Sequence, residues 1–294
     1  MAAPHPLRGV ALFACAVFLF ACLDTTIKHL TVNFSVPLLA FVRYFMHLLL
    51  MLAIVAPRHG LKMAQARRPG LVILRALCLV VMTLFMMFGL KRLPLAEATA
   101  IGFVAPLLVV LLARPLLGER IGLLRLLAVL SGFGGVLLVA RPGSDLDWIG
   151  VLFVLVAALC GTAYQLLSRV LVGSESTLTL LFYVALAGAV CFGSSLPWVL
   201  HGPQPGWFDA LLMLSLGVTG GLGHYLFTHA YHDAPASLLA PFSYLQLLWA
   251  GLLGWLVFGR VPDHLTLLGM GIIAVAGVVV AVQQHRSASS TEQA

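Results

Sequence analysis

LAEATAIGFVAPLLVVLLARPLLG (residues 95–118) and ASLLAPFSYLQLLWAGLLGWLVFG (residues 236–259) share one profile: small residues, an aromatic (Phe103, Tyr244), a Leu-rich run and a closing glycine. The two stretches lie 141 residues apart, and the same offset sets Gly9-Val10 against Gly150-Val151, Lys28 against Arg169 and Pro94 against Pro235. Agreement in several separated segments marks an internal duplication. Each stretch is also long and apolar enough to cross a bilayer, whose core of about 30 Å takes roughly 20 helical residues.

The surrounding sequence repeats that pattern. Of 294 residues, 61% are hydrophobic and 9% charged, against roughly a quarter charged in a soluble domain, which excludes a water-exposed globule. Breaks at charged, Pro-rich or Gly-rich punctuation give ten spans, at about 8–29, 37–56, 71–91, 95–117, 122–141, 148–171, 177–199, 208–231, 236–258 and 264–284. Their continuous apolarity predicts helices and not barrel strands. The N-terminal segment reads as a retained first helix, since no small-residue cleavage site follows it.

The excess of 17 Lys+Arg over 10 Asp+Glu does not imply nucleic acid, because in a membrane protein basic residues report orientation. With the N-terminus inside, eleven basic residues fall at cytoplasmic ends, among them Arg8, Arg58, Arg67 and Arg68. Five (Lys28, Lys91, Arg92, Arg141, Arg260) fall outside, with Arg43 inside a span. Both termini are therefore expected in the cytoplasm. All five cysteines lie in apolar stretches without a Cys-x-x-Cys pair, as packing residues do.

Five helices per repeat is an odd number, so the second repeat enters the membrane inverted. The expected fold is all-α and polytopic, ten transmembrane helices in two inverted five-helix repeats, residues 1–146 and 147–294. That architecture belongs to alternating-access transporters.

The motifs RLPLAEATAI (92–101), Ala105-Pro106, LLGER (116–120) and GFGGVLLVARP (132–142), with residues 236–249 and Phe258-Gly259, resemble the EamA family of the drug/metabolite transporter superfamily. The resemblance covers essentially the whole chain. One departure is Gly259-Arg260, where the family's second repeat often has Gly-Glu. The resemblance implies a bacterial inner-membrane carrier of small metabolites, in a family with both exporters of amino acids and importers of flavins and S-adenosylmethionine. Its cavity would be lined mainly by spans 1, 3, 4, 6, 8 and 9.

Polar residues inside spans are the default site candidates. The duplication pairs Thr83 with His224, Phe103 with Tyr244 and Asp24 with Gln165. His224 can donate, accept and change charge near neutral pH, or be a neutral histidine bonded to a helix carbonyl. Phe103 and Tyr244 are candidate aromatic walls, the Tyr hydroxyl supplying direction, or ordinary packing. Tyr164 and Gln165 are candidate hydrogen-bonders or interhelical ties.

Asp24 is a candidate coupling carboxylate, or the partner of Lys28 in an ion pair at the outer end, with Lys28 snorkelling to the interface. Arg43 cannot shed its charge and reads first as a structural tie to carbonyls of a neighbouring helix, with an anionic substrate as the alternative. Arg75 reads as an anchor at the cytoplasmic headgroups, and Glu97 as a complement to its helix dipole. Gly217, Gly220, Gly221 and Gly223 permit close packing or a hinge. His224, His229, His232 and Asp233 spread over half a helix circumference, too wide for one metal site, so no metal and no cofactor are expected.

No Gly-x-x-x-x-Gly-Lys-Ser/Thr loop occurs, and no Gly-x-Ser-x-Gly or His-Glu-x-x-His motif. The expectation is a secondary transporter and not an enzyme, with a small-molecule substrate, the lipid bilayer as surroundings and proton coupling as an option, as monomer or homodimer. Amino-acid or metabolite export is the first reading. Uptake of a flavin, nucleobase or other heterocycle is the alternative.

Overall fold

The computed structural model describes residues 6–117, 123–141, 146–171, 174–199, 203–234 and 239–292. Several repeat markers, namely Gly118, Glu119, Arg120, Pro142, Pro235 and residues 236–238, lie outside the described residues. Among the described residues every regular element is helical. The main helices are α1 (Pro6–Leu30), α2 (Val36–Leu50), α3 (Pro69–Arg92), α4 (Leu95–Gly102), α5 (Val104–Leu117), α6 (Leu123–Val139), α7 (Trp148–Leu171), α8 (Thr177–Gly193), α9 (Trp207–Asp233), α10 (Leu245–Phe258) and α11 (His264–Glu292).

Among the described residues six stretches have the length and apolarity to cross a membrane: Leu7–Leu30, Val36–Arg58, Pro69–Arg92, Leu95–Leu112, Trp148–Ser168 and Trp207–Phe227. Leu126–Val139, Thr177–Gly193, Phe242–Phe258 and His264–Val279 are shorter apolar helices. The chain is thus an all-helical polytopic membrane protein. Its outer surface agrees, since Leu137, Val190 and Leu256 are each more than 60% exposed. Water would penalise that surface, whereas lipid tails are as apolar as the side chains themselves.

Local sequence sets the helix ends. Ser176 caps α8 by accepting from the Thr179 amide at 3.1 Å. Pro69 opens α3, where its missing N–H costs nothing. Gly259 ends α10 in the left-handed conformation (φ 65°), which only glycine adopts freely.

Two expected continuous spans are interrupted. The stretch at 95–117 is divided at Phe103, between α4 and α5. Pro106 lacks the N–H that would reach the Gly102 carbonyl, and its ring crowds that turn, so a break follows from covalent structure. In the second half a 3₁₀ turn, Ala240–Tyr244, precedes α10. The span at 37–56 also differs: α2 passes through a π-helical turn at Met51–Val55 and continues to His59.

Helix contacts come in pairs related by exchange of the halves. α1 packs on α9 as α3 packs on α7, and α2 on α9 as α8 on α3. α1 meets α10 as α7 meets α4 and α5, while α2–α8, α4–α10 and α6–α11 contacts are their own counterparts. The main buried cluster draws on both halves, with Leu39, Leu90, Leu95, Ile101, Leu216 and Ile273 among its members.

At the α6–α11 contact two glycines bring the backbones close together. A Cβ on Gly269 would lie 2.6 Å from the Gly135 carbonyl oxygen, and one on Gly135 2.8 Å from that of Gly269. Gly269→Ala is therefore expected to force these helices apart at a cost of about 1–3 kcal/mol, measured as a lower melting midpoint in detergent. An unchanged midpoint would mean that the two backbones are not in contact.

Outside the spans, Arg92 pairs with Asp147 and Arg141 with Asp263, each joining one half to the other. The Thr266 amide (2.8 Å) and the Arg141 guanidinium hold the Asp263 carboxyl down to about 2. The Arg92 hydrogen bond, aided by the Ile149 amide, holds Asp147 below its usual range. Carboxyls depressed in the folded state stabilise it above their unfolded value near 3.9, and the contribution fades as pH falls towards the folded value. Thermal stability is expected to drop between about pH 4 and 2, and the double variant Asp147→Asn, Asp263→Asn to flatten that drop slightly, since exposed pairs contribute little. A melting series against pH checks this.

Candidate functional site

Interior polar side chains of α1, α2, α3, α7, α9 and α10 form the candidate site. Asp24, in the last two turns of α1, is half-buried and accepts from Gln246 Nε2 of α10 at 3.4 Å. Lys28 is not its ion-pair partner, contrary to the sequence expectation. Its ammonium donates to the carbonyls of Leu90 (2.9 Å) and Leu93 at the end of α3, and lies 5.6 Å from the Phe258 ring centroid. The last carbonyls of a helix have no intrahelical partner and carry negative dipole charge, so they attract an ammonium.

The interruptions in the two halves meet. Phe103 and Tyr244 stack with centroids 4.9 Å apart at 29°. Phe103 is buried and Tyr244 half-buried. The phenol tip of Tyr244 occupies the space over Gly277 of α11, so its hydroxyl is turned to that helix.

Arg75 corrects a second expectation. It is 7% exposed and buried among the helices of the bundle. Its guanidinium donates to Ser168 Oγ (2.7 Å), to Tyr164 Oη (2.8 Å) and to the Leu180 carbonyl (3.4 Å), with its carbon 4.3 Å from the Tyr164 ring centroid. A charge this deep requires such a set of acceptors. The sequence carried a signal: Arg75, Leu79, Thr83 and Met87 recur every four residues, and all four are buried. Thr83 shares a 2.6 Å hydrogen bond with the Tyr44 hydroxyl of α2, a residue the sequence reading missed.

His224 of α9 is half-buried, with its ring 4.9 Å from that of Phe20. Gln165 is half-buried and makes none of these contacts. The glycines before His224 serve close packing: Cβ atoms would meet Met46 at Gly217, Arg43 (3.4 Å) at Gly220, His47 (3.3 Å) at Gly221 and Phe20 (2.8 Å) at Gly223. They let α9 press on α1 and α2, and so bring Arg43 and His47 close to His224. Glu97 sits in the first turn of α4, as expected, but is buried, and among the described residues its Oε2 has no hydrogen-bond partner.

Thr83→Val keeps the shape but removes the Tyr44 partner. A loss of about 1–2 kcal/mol is expected, read from thermal unfolding. An unchanged midpoint would show that the Leu79 carbonyl, 3.5 Å from the same hydroxyl, suffices as acceptor.

Comparison with known proteins adds the following. The model of the EamA-like transporter family matches residues 7–141 and again 148–283. The S-adenosylmethionine uptake transporter of Rickettsia prowazekii (strain Madrid E) is 26% identical over 288 residues, which cover 98% of this chain and 97% of the relative. The riboflavin transporter of Vibrio cholerae serotype O1 is 27% identical over 278 residues, covering 92% of each chain. One solved crystal structure superposes with a TM-score of 0.70 at 21% identity, over 94% of this chain and 98% of that one. That likeness speaks for the fold alone.

Proposed function

The chain belongs to the EamA-like transporter family, and from that premise we propose that it takes up a small heterocyclic metabolite across the bacterial inner membrane by alternating access. In this reading residues 1–146 and 147–294 are inverted repeats with both termini in the cytoplasm. The family model's double match and the exchange-related helix contacts support the pairing of halves. The observation that carries the reading is the stack of Phe103 on Tyr244, where corresponding interruptions of the two halves meet in the interior. Irregular backbone at membrane depth is tolerated where it is buried in protein or lines a cavity, and discontinuous helices mark substrate sites in such carriers.

Uptake replaces export as the first reading, because relatives spanning nearly the whole chain are named for S-adenosylmethionine uptake and riboflavin transport. Both compounds carry a flat heterocycle, which suits an aromatic wall. The proposed lining is Phe103, Tyr244, His224, Thr83, Tyr164 and Gln165. Asp24 is the proposed carrier of a coupled proton.

The test is uptake of labelled S-adenosylmethionine and riboflavin into proteoliposomes with and without an imposed proton gradient. Faster entry than into empty liposomes is expected for at least one, with the initial rate of His224→Ala about tenfold lower and the pH dependence flattened in Asp24→Asn. Entry no faster than into empty liposomes for both, with folded protein, would sink the reading.

A further inference from the structure

Two half-buried opposite charges, Asp24 of α1 and Arg43 of α2, form no ion pair with each other. Among the described residues the ion pairs are Arg8–Asp233, Arg92–Asp147 and Arg141–Asp263. Arg43 takes part in none of them and makes no hydrogen bond with a described residue. Its side chain crosses from α2 to α9, lying over Gly220 beside Leu23, the neighbour of Asp24. The guanidinium carbon is 5.4 Å from the Tyr44 ring centroid. Asp24 in turn holds one long hydrogen bond, from Gln246 at 3.4 Å, although a carboxylate can accept about four.

A cation and an anion kept apart inside a membrane protein are each costly. In other interior sites this chain avoids that cost: Arg75 has two hydroxyls and a carbonyl, and Lys28 two carbonyls. The Asp24–Arg43 arrangement is the complement of a group that carries an ammonium and a carboxylate side by side. Gln246, two residues beyond Tyr244, links it to the aromatic stack.

We propose that Asp24 and Arg43 recognise the α-amino acid end of the substrate, Asp24 with Gln246 taking its ammonium and Arg43 its carboxylate, while the heterocycle lies against Tyr244. Guanidinium presents paired donors that fit a carboxylate in bidentate fashion. Arg43 is then the residue that sets specificity for amino acid-bearing heterocycles over neutral ones. A carboxylate that holds a proton in one state and the substrate's ammonium in the other serves coupling as well.

This inference rests on the uptake reading and deepens it. It is tested by titration calorimetry on the purified full chain with S-adenosylhomocysteine, 5′-methylthioadenosine and riboflavin. The first two share adenine, ribose and a thioether sulfur, and differ in the amino acid end. The wild type is expected to bind S-adenosylhomocysteine about ten- to a hundredfold more tightly than 5′-methylthioadenosine. Arg43→Gln is expected to bring the ratio close to one without changing 5′-methylthioadenosine binding, and Arg43→Lys to restore part of it. Equal wild-type affinities overturn the inference whether or not the variants fold, as does an unchanged ratio in Arg43→Gln. Binding of riboflavin with neither adenine compound overturns the inference and leaves the uptake reading standing. Binding of none of the three by folded protein overturns both.

Discussion

Hydrocarbon offers no hydrogen bonds, so a backbone that crosses it must satisfy its own polar groups, and any departure from the helix has to be buried in protein or face a cavity. That constraint orders this molecule. Most of the chain obeys it with uninterrupted helices whose outward faces are leucine and valine. The exceptions near the bundle's middle are the interruption at Phe103 and the 3₁₀ turn ending at Tyr244, both in the interior. Their aromatic side chains cover one another, and Gly277 yields the space the phenol needs.

The same constraint sorts the interior charges into two kinds. Arg75 and Lys28 end on fixed hydroxyls and carbonyls of other helices, so they hold α3 to α7 and α1 to α3. A cation bound that completely has little left to offer a ligand. Asp24 and Arg43 have capacity to spare among the described residues and lie on two helices that α9 packs against through its glycines. Spare hydrogen-bonding capacity at depth is a better guide to a binding residue than charge alone, because satisfied charges inside a membrane are structural ties.

Much of the architecture was legible in the sequence, since hydropathy marks helices crossing lipid and the 141-residue offset exposed the pairing of Phe103 with Tyr244. The interruption at Phe103 was legible in Pro106 as well, but a continuous apolar run masks a local defect. Partners of individual charges were not legible. Lys28 lies four residues from Asp24, which suggests a pair, yet the free carbonyls at the end of α3 compete and win. Those carbonyls carry no mark in the sequence, because every residue has one. Arg75 was read as a headgroup anchor from its place near a helix start, although its four-residue spacing with Thr83 put both on one buried face.

What joins the two halves at their ends bears on how such a molecule moves. At one end Arg92 meets Asp147 and Arg141 meets Asp263, both pairs partly exposed. At the other, Glu175 accepts from the Arg67 and Arg68 amides, and Arg8 approaches Asp233 at 3.4 Å. Pairs of this kind contribute little, because water competes for each partner. A carrier that opens alternately at its two ends has to break one set of end contacts in each half-cycle. Weak polar contacts at the ends, around a centre packed through glycines and large aromatic rings, keep that step shallow without loosening the core. In the proposed alternating-access reading the halves exchange roles by trading one set of end contacts for the other, and a substrate bound where both halves contribute biases which set is made.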